Sequence, residues 1–131
     1  MSQRSQMLRD KTDKGYHKLL VWQKAKRFVS LVYKYSEKFP RSEEFGLKSQ
    51  LRRSAVSVVL NIVEGHRRHS IKEFLRFLDI SCASLAEVEA ILEIMLDLGY
   101  LKDDEIEELE EKRSELAFLV DSLVKSLKRK L

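Results

Sequence analysis

Residues that break helices or form tight turns are scarce in this sequence, which contains four glycines and one proline in 131 residues. Tight turns between strands draw heavily on glycine and proline, so a sheet-rich fold of this length would need many more of them. Hydrophobic residues make up 44% of the chain, and its length suits one domain with one core. We therefore predict a single all-α domain.

Apolar residues that recur at steps of three and four predict the first two helices. The first runs from about Lys18 to Lys38, and Phe39-Pro40 ends it because the residue before a proline avoids the α conformation. Ser42 is the expected N-cap of a second helix over Glu43–Glu64. Gly65 stands where a helix of this length would stop.

Two further helices are predicted by capping-box spacings, in which a cap residue is followed three positions later by glutamate. Ser70-x-x-Glu73 opens the third helix, which reaches about Leu98 and ends at Gly99. Asp104-x-x-Glu107 opens the fourth, whose apolar row is interrupted by Arg113. We predict an antiparallel up-down-up-down four-helix bundle over residues 16–131, preceded by a flexible N-terminal tail over residues 1–15.

Charge is divided between the two halves of the chain. Residues 1–72 carry 17 Lys and Arg against 6 Asp and Glu, a net charge of +11, whereas residues 73–131 carry 8 against 15, a net charge of −7. This division fits attraction between solvated helices of one molecule. It fits equally a basic surface that binds phosphate and an acidic surface that avoids it.

The basic half supplies the candidate nucleic-acid contacts. Arginine suits phosphate because its planar group donates two hydrogen bonds at once, although most basic helix faces are merely solvated. The candidates lie on the first helix, on the second helix and in the loop after it: Lys24, Arg27, Lys34, Lys48, Arg52, Arg53, Arg67 and Arg68. Four aromatic residues are able to stack on bases, but aromatic positions on an amphipathic helix more often belong to the core: Tyr16, Trp22, Tyr33 and Tyr35.

The second and third helices are apolar around most of their circumference. A surface helix of a monomer needs one apolar stripe, so the surplus is expected to contact another chain. We predict a homo-oligomer, the alternative being a monomer with a wide core. The expected interface residues lie on these two helices: Val56, Val59, Leu60, Val63, Leu75 and Leu78.

A thin polar line crosses the apolar second helix. It consists of Gln50, Ser57, Asn61 and Glu64, with Arg53 on the same side. Polar groups in apolar surroundings need hydrogen-bond partners. We expect this line to form a polar seam that fixes the register between helices or subunits, with ligand binding as the alternative.

Catalytic and metal-binding patterns are not found in the sequence. There is no Glu-x-x-His pair of the di-metal bundles, no glycine-rich phosphate loop and no His-Cys zinc spacing. The single cysteine, Cys82, is expected to be a small buried apolar residue. The longest uncharged stretch, Ser54–Val63, is too short to cross a bilayer, which needs roughly 20 residues. We expect a cytoplasmic protein without catalytic residues, metal, cofactor or membrane partner.

Several sequence blocks together resemble one protein family. They include Val21–Ala25, Gln50-Leu-Arg-Arg53, Asn61-Ile-Val-Glu-Gly65 and Ala83–Glu89, in this order. The chain is similar to the four-helix-bundle proteins encoded in intervening sequences of bacterial 23S rRNA genes. The same superfamily includes the accessory variability determinant proteins of diversity-generating retroelements. The resemblance implies a bundle assembled as a pentameric ring and, in the retroelement branch, a basic barrel that binds reverse transcriptase and RNA. It implies no enzymatic activity.

Three functions remain open from the sequence. The first is a non-catalytic oligomer that binds structured RNA, or an RNA–protein assembly, through its basic surface. The second is a retroelement accessory subunit that binds a reverse transcriptase and template RNA. The third is a purely structural homo-oligomer whose opposite charges pair its subunits.

Overall fold

The structure, a computed structural model, describes residues 19–131 together with Gln3. Residues 19–131 form four α-helices and a short 3₁₀ turn, with no β-strand among them, which confirms the all-α prediction. The elements are α1 (Leu20–Ser36), the 3₁₀ turn (Arg41–Glu43), α2 (Leu47–His66), α3 (Ile71–Leu98) and α4 (Asp103–Lys128). The tail expected over residues 1–15 lies outside the described residues apart from Gln3, as does the predicted first turn of α1 at Lys18.

The four helices pack around one apolar core. α1 contacts α2 and α4, and α3 contacts the same two helices from the other side. Every helix contributes to the core because each carries apolar residues at helical spacing on its inner side. The largest side chains with almost no exposure are Leu51, Ile62, Leu78, Leu85, Met95, Leu109 and Leu116. Each such burial stabilises the fold by roughly 1.5–3 kcal/mol, which makes this core the main source of stability.

The start of α2 differs from the prediction. Ser42 does not cap the helix but lies in the 3₁₀ turn, and α2 begins at Leu47. The carboxylate of Glu43 accepts a hydrogen bond from the Leu47 backbone N–H at 3.0 Å, so a side chain four residues upstream satisfies the first turn. As a consequence Phe45 lies outside the helix, in the segment that leads into it.

The prediction that Gly65 ends α2 is wrong. The helix continues through it to His66, and Gly65 is buried. A Cβ at this position would lie 2.8 Å from Phe74 Cδ1 and 2.8 Å from Phe77 Cβ, closer than carbon atoms pack. The glycine is therefore needed for the close approach of α2 to α3 rather than for a turn.

The other helix ends follow the sequence more closely. Ser70 caps α3 by accepting a hydrogen bond from the Glu73 backbone N–H at 3.1 Å, and Gly99 ends that helix with a left-handed φ of 69°. Both predictions are confirmed. α4 begins one residue earlier than its predicted cap, and the Glu105 side chain accepts from the Lys102 backbone N–H at 2.9 Å. The predicted Asp104–Glu107 box is therefore wrong, because Lys102 takes the cap position.

Candidate nucleic-acid interface

One face of α1 carries cations that are paired with acidic residues of α4. The Lys24 ammonium lies 3.0 Å from a Glu115 carboxylate oxygen. Two residues beyond the C-terminal end of α1, Lys38 pairs with Glu105. The two ion pairs join the basic first half of the chain to its acidic second half. Lys24, predicted as a nucleic-acid contact, is thus engaged within the molecule.

These contacts shift the ionisation of the groups involved. Hydrogen bonding from Lys38 lowers the pKa of Glu105, and hydrogen bonding from Lys24 lowers the pKa of Glu115. Between the two pairs, the Tyr35 hydroxyl donates to Glu108, which raises the pKa of Tyr35 to about 12. We call these three contacts the α1–α4 seam. They hold the two helices together by electrostatic attraction and hydrogen bonding.

Lys48 is buried against the same molecule's carboxylates. Its side chain is only 9% exposed, and its ammonium lies 2.9 Å from Glu44 and 3.6 Å from Glu37. An ammonium in this setting has its charge balanced locally. Lys48 is therefore poorly placed to supply a free phosphate contact.

Arg52 is held in place by three groups of the α1 end. Its Nε donates to Ser36 Oγ at 2.8 Å, and one terminal nitrogen donates to Glu37 at 2.8 Å. Its guanidinium also lies over the Tyr33 ring, 4.2 Å from the centroid. Hydrogen bonding from Arg52 is the main reason that the pKa of Glu37 is lowered. Arg52 is therefore fixed in orientation and largely neutralised.

Arg68 pairs within its own segment. Its guanidinium lies 2.7 Å from Glu64, one helical turn away, and 4.9 Å from the centroid of the Phe77 ring. This pair is solvent-exposed, so it is weak and open to exchange with another anion.

Four of the residues predicted to contact nucleic acid form no ion pair within residues 19–131. Arg27 and Lys34 are exposed on α1, and Arg53 and Arg67 are exposed on α2 and at its C-cap. The Lys34 ammonium lies 5.4 Å from the centroid of the Tyr35 ring. We call these four residues the unpaired cations. Their charge faces solvent, which is the property that phosphate binding requires.

The unpaired arginines of α2 flank an apolar strip. Arg53, Leu60 and Arg67 follow one another at steps of seven residues, which places them on nearly the same side of the helix. Leu60 is 60% exposed, and the half-buried Val56 and Val63 lie next to it. We call these five residues the outer strip of α2. It combines positive charge with exposed apolar surface.

The remaining predicted interface residues divide by exposure. Val59 and Leu75 are half-buried. Leu78 is wrongly assigned to an interface, because it has no exposed surface in the single chain and packs in the core. Large apolar side chains that the sequence did not single out for an interface are exposed elsewhere: Phe45 96%, Ile94 46%, Leu96 55%, Leu98 46% and Phe118 70%.

The predicted polar line divides into an inner and an outer part. Asn61 Nδ2 donates to the Ser57 carbonyl at 2.8 Å and to its hydroxyl at 3.1 Å. Ser57 and Ser84 hydroxyls are hydrogen-bonded across the α2–α3 contact at 2.8 Å. Gln50 and Glu64 are exposed and do not join this network.

The α2–α3 contact contains further polar bonds that sequence reasoning missed. Ser54 Oγ donates to Glu87 at 2.8 Å, and Ser81 Oγ donates to the Val58 carbonyl at 3.0 Å. The small size of serine was the available clue, because small side chains let two helices approach closely. These bonds fix the register of α2 on α3 and so the direction in which the outer strip faces.

Arg113, which interrupts the apolar row of α4, is satisfied by carboxylates. Two of its nitrogens donate to Glu110, each at 2.7 Å, and it also pairs with Glu89 of α3. Hydrogen bonding to Glu110 raises the pKa of Arg113. Arg113 therefore links α3 to α4 and is not a free cation.

A groove at the corner of α1 and α2 joins aromatic and basic side chains. We call it the corner groove. It is lined by Tyr33, Glu44, Phe45, Lys48, Ser49, Arg52, Arg53 and Val56. Phe45 was missed by sequence reasoning because the second helix was predicted to start before it. Its position outside the apolar row of α2, directly before Gly46, was the pattern that could have identified it.

Residues 19–131 contain no cluster of three or more His, Cys, Asp or Glu side chains arranged to hold a metal ion. Cys82 is exposed rather than buried as predicted, and desolvation is the main cause that raises the pKa of its thiol. None of the four helices is both long and apolar enough to span a membrane.

Comparison with known proteins places this bundle in a family. A search of curated proteins finds no match. A crystal structure of a protein of unknown function from the S23 ribosomal protein family of Bacteroides thetaiotaomicron VPI-5482 is similar, with a TM-score of 0.75 and 24% identity. The match covers 81% of this chain and 99% of that one, and it shows the shared fold. The family model for 23S rRNA-intervening sequence proteins matches residues 17–122. The chain therefore belongs to the 23S rRNA-intervening sequence protein family.

Proposed function

We propose that this protein is a non-catalytic, homo-oligomeric helical bundle that binds structured RNA or an RNA–protein assembly. The observation that carries the proposal is the set of unpaired cations, whose charge is not balanced within residues 19–131. Family membership supports it only indirectly, since an rRNA gene location suggests proximity to RNA. Phosphate contacts by Arg27, Lys34, Arg53 and Arg67 would give affinity without base specificity.

The bundle underlying this function is antiparallel. Contacts between α1 and α4 support this arrangement, because Lys24 pairs with Glu115 whereas the later Lys38 pairs with the earlier Glu105. The order of residues is thus reversed between the two helices. The same reversal relates α2 and α3, where Ser54 meets Glu87 and Ser57 meets Ser84.

Exposed apolar surface supports assembly into a ring of identical subunits. Leu60 on α2 and Ile94 on α3 are 60% and 46% exposed, so two different helices offer apolar surface to another copy of the chain. Contact between two different faces produces a head-to-tail ring when the rotation closes. The family resemblance makes five the expected number of subunits. Light scattering is expected to give several times 15.4 kDa, and a particle of 15.4 kDa would contradict assembly.

RNA binding is tested with an rRNA fragment in a salt series. We expect affinity to fall steeply as salt rises, because each neutralised phosphate releases counterions. The matched variants are Arg53→Gln with Arg67→Gln, which remove unpaired charge, and Lys24→Gln, which removes charge already paired with Glu115. Affinity should fall in the first case and stay near that of the parent in the second.

Two results would replace this function by another. If the parent binds a reverse transcriptase tightly and binds RNA only in its presence, the retroelement accessory role is the better description. If the parent binds no RNA at low salt but its assembly depends on salt, the protein is a structural oligomer. Either result contradicts direct RNA binding by the unpaired cations.

A further inference from the structure

Phe45 is the most exposed large apolar side chain in the described part of the molecule. It is 96% exposed, whereas Phe39, six residues earlier, is 6% exposed in the core. The late start of α2 at Leu47 places Phe45 on the connecting segment, where it lines the corner groove. Both faces of its ring are therefore available to a flat partner.

The opposite side of the corner groove is already a stacked arrangement. The Arg52 guanidinium lies 4.2 Å from the centroid of the Tyr33 ring, and hydrogen bonds to Ser36 and Glu37 hold it there. Tyr33 remains 42% exposed. The Arg52–Tyr33 stack is therefore fixed before any ligand arrives, whereas Phe45 and Arg53 are exposed side chains that a ligand would order.

Charge in the corner groove distinguishes it from the groove between α3 and α4. Lys48 and Arg52 are balanced by Glu37 and Glu44, which leaves Arg53 as the groove's cation without an ion pair. The α3–α4 groove, in contrast, is lined by six carboxylates: Glu89, Glu93, Asp103, Glu107, Glu110 and Glu111. An anionic ligand with a flat apolar part therefore fits the corner groove and is repelled by the other.

We infer, resting on the RNA-binding role proposed above, that the corner groove binds unpaired RNA nucleotides. A base stacks on the Phe45 ring, and Arg53 contacts the neighbouring phosphate. Bases inside a duplex are already stacked and hide their faces, so only a loop, bulge or single strand can use such a platform. Stacking on an aromatic side chain tolerates any base, because every base has a flat π face.

This inference predicts a preference that the unpaired cations alone would not produce. A surface that contacts only phosphates binds a duplex at least as well as a single strand, since a duplex carries more charge per unit length. A protein that also stacks bases gains affinity for the single strand alone. The ratio of the two affinities is therefore the quantity that reports on Phe45.

The experiment measures fluorescence anisotropy of a labelled ten-nucleotide single-stranded RNA and of a perfectly paired RNA duplex. Phe45→Leu keeps apolar bulk but removes the ring, and we expect about tenfold weaker binding of the single strand with little change for the duplex. Phe45→Trp should restore single-strand binding to within about threefold of the parent. The matched control is Phe118→Leu, since Phe118 is 70% exposed but lies on acidic α4.

Failure of this inference is distinguishable from failure of the proposed function. If Arg53→Gln weakens binding of both RNAs while Phe45→Leu binds the single strand like the parent, RNA binding stands and base stacking is overturned. If the parent binds neither RNA, both are overturned. If Phe45→Leu changes the mass measured by light scattering, Phe45 belongs to a contact between copies of this chain, which also overturns the inference.

Discussion

The α1–α4 seam and the outer strip of α2 are both built from basic residues of the first half of the chain, yet they use charge differently. In the seam, Lys24 and Lys38 each have a carboxylate partner on α4. On the outer strip, Arg53 and Arg67 have none among the described residues. The same kind of side chain therefore stabilises the fold in one region and remains available to a partner in the other.

The difference is set by what lies on the neighbouring helix. α4 lies beside α1 and presents Glu105 in its first turn and Glu115 further along the helix, so Lys38 and Lys24 each meet a carboxylate. The outer strip lies on α2, which packs against α1 and α3, and its arginines meet no carboxylate within residues 19–131. The net charge of +11 over residues 1–72 thus overstates the charge available for binding.

Reversing both charges on the outer strip should weaken RNA binding more than any other change. In Arg53→Glu with Arg67→Glu, each lost charge-assisted contact weakens RNA binding by about tenfold, or about 100-fold together. The melting temperature should stay near that of the parent, because neither arginine has an ion-pair partner among residues 19–131. RNA titration and thermal melting measure the two effects. Unchanged affinity would remove the outer strip from the binding surface.

Adding a methyl group at Gly65 should destabilise the α2–α3 contact, which orients the outer strip. The new Cβ of Gly65→Ala would lie 2.8 Å from Phe74 and from Phe77, so α2 and α3 must separate. Overpacking of this kind costs about 1–3 kcal/mol of the free energy of unfolding, although alanine favours a helix by about 1 kcal/mol over glycine. Urea unfolding measures the net change in the free energy of unfolding. Ser122→Ala, on an exposed position of α4, is the control and should not destabilise; a more stable Gly65→Ala protein would contradict the close packing.

Removing a carboxylate from the α1–α4 seam should lower the melting temperature by a smaller amount that depends on pH. Lys38 lowers the pKa of Glu105 in the folded protein, so the ionised carboxylate stabilises the fold above its unfolded pKa. This stabilisation is lost as the pH falls through the lowered pKa. Glu105→Gln should therefore lower the melting temperature at pH 7, with a difference that shrinks towards acid pH. A difference that is constant from pH 7 to pH 3 would contradict an ionic role.

The sequence was sufficient for the helices but not for the partners of their charges. Periodicity and capping-box spacings located the four helices because each helix carries apolar residues at helical spacing, and Ser70 and Gly99 marked ends that local chemistry determines. Gly65 was misread, because its role depends on Phe74 and Phe77 in the next helix. Tertiary contacts of this kind leave no trace in the local pattern.

The candidate site shows the same limit. Lys24 and Arg53 look equivalent in the sequence, and only the fold shows that Lys24 meets Glu115 while Arg53 faces solvent. Phe45 was overlooked because capping rules favoured Ser42, whereas the structure uses the carboxylate of Glu43 for the first turn of α2. Residues that connect elements are the least constrained by periodicity, and here they carry an exposed aromatic ring.

The most direct test of the contrast is the salt dependence of RNA affinity in three proteins. The slope of log affinity against log salt should be steep for the parent. Arg53→Gln with Arg67→Gln should make this slope shallower, because two phosphate contacts are lost. The expected change is about 1.4 for single-stranded RNA and about 1.8 for duplex RNA. Lys24→Gln with Lys38→Gln should leave the slope unchanged and lower only the melting temperature. A slope that falls with the lysine pair and not with the arginine pair would contradict the division of charge between these two regions.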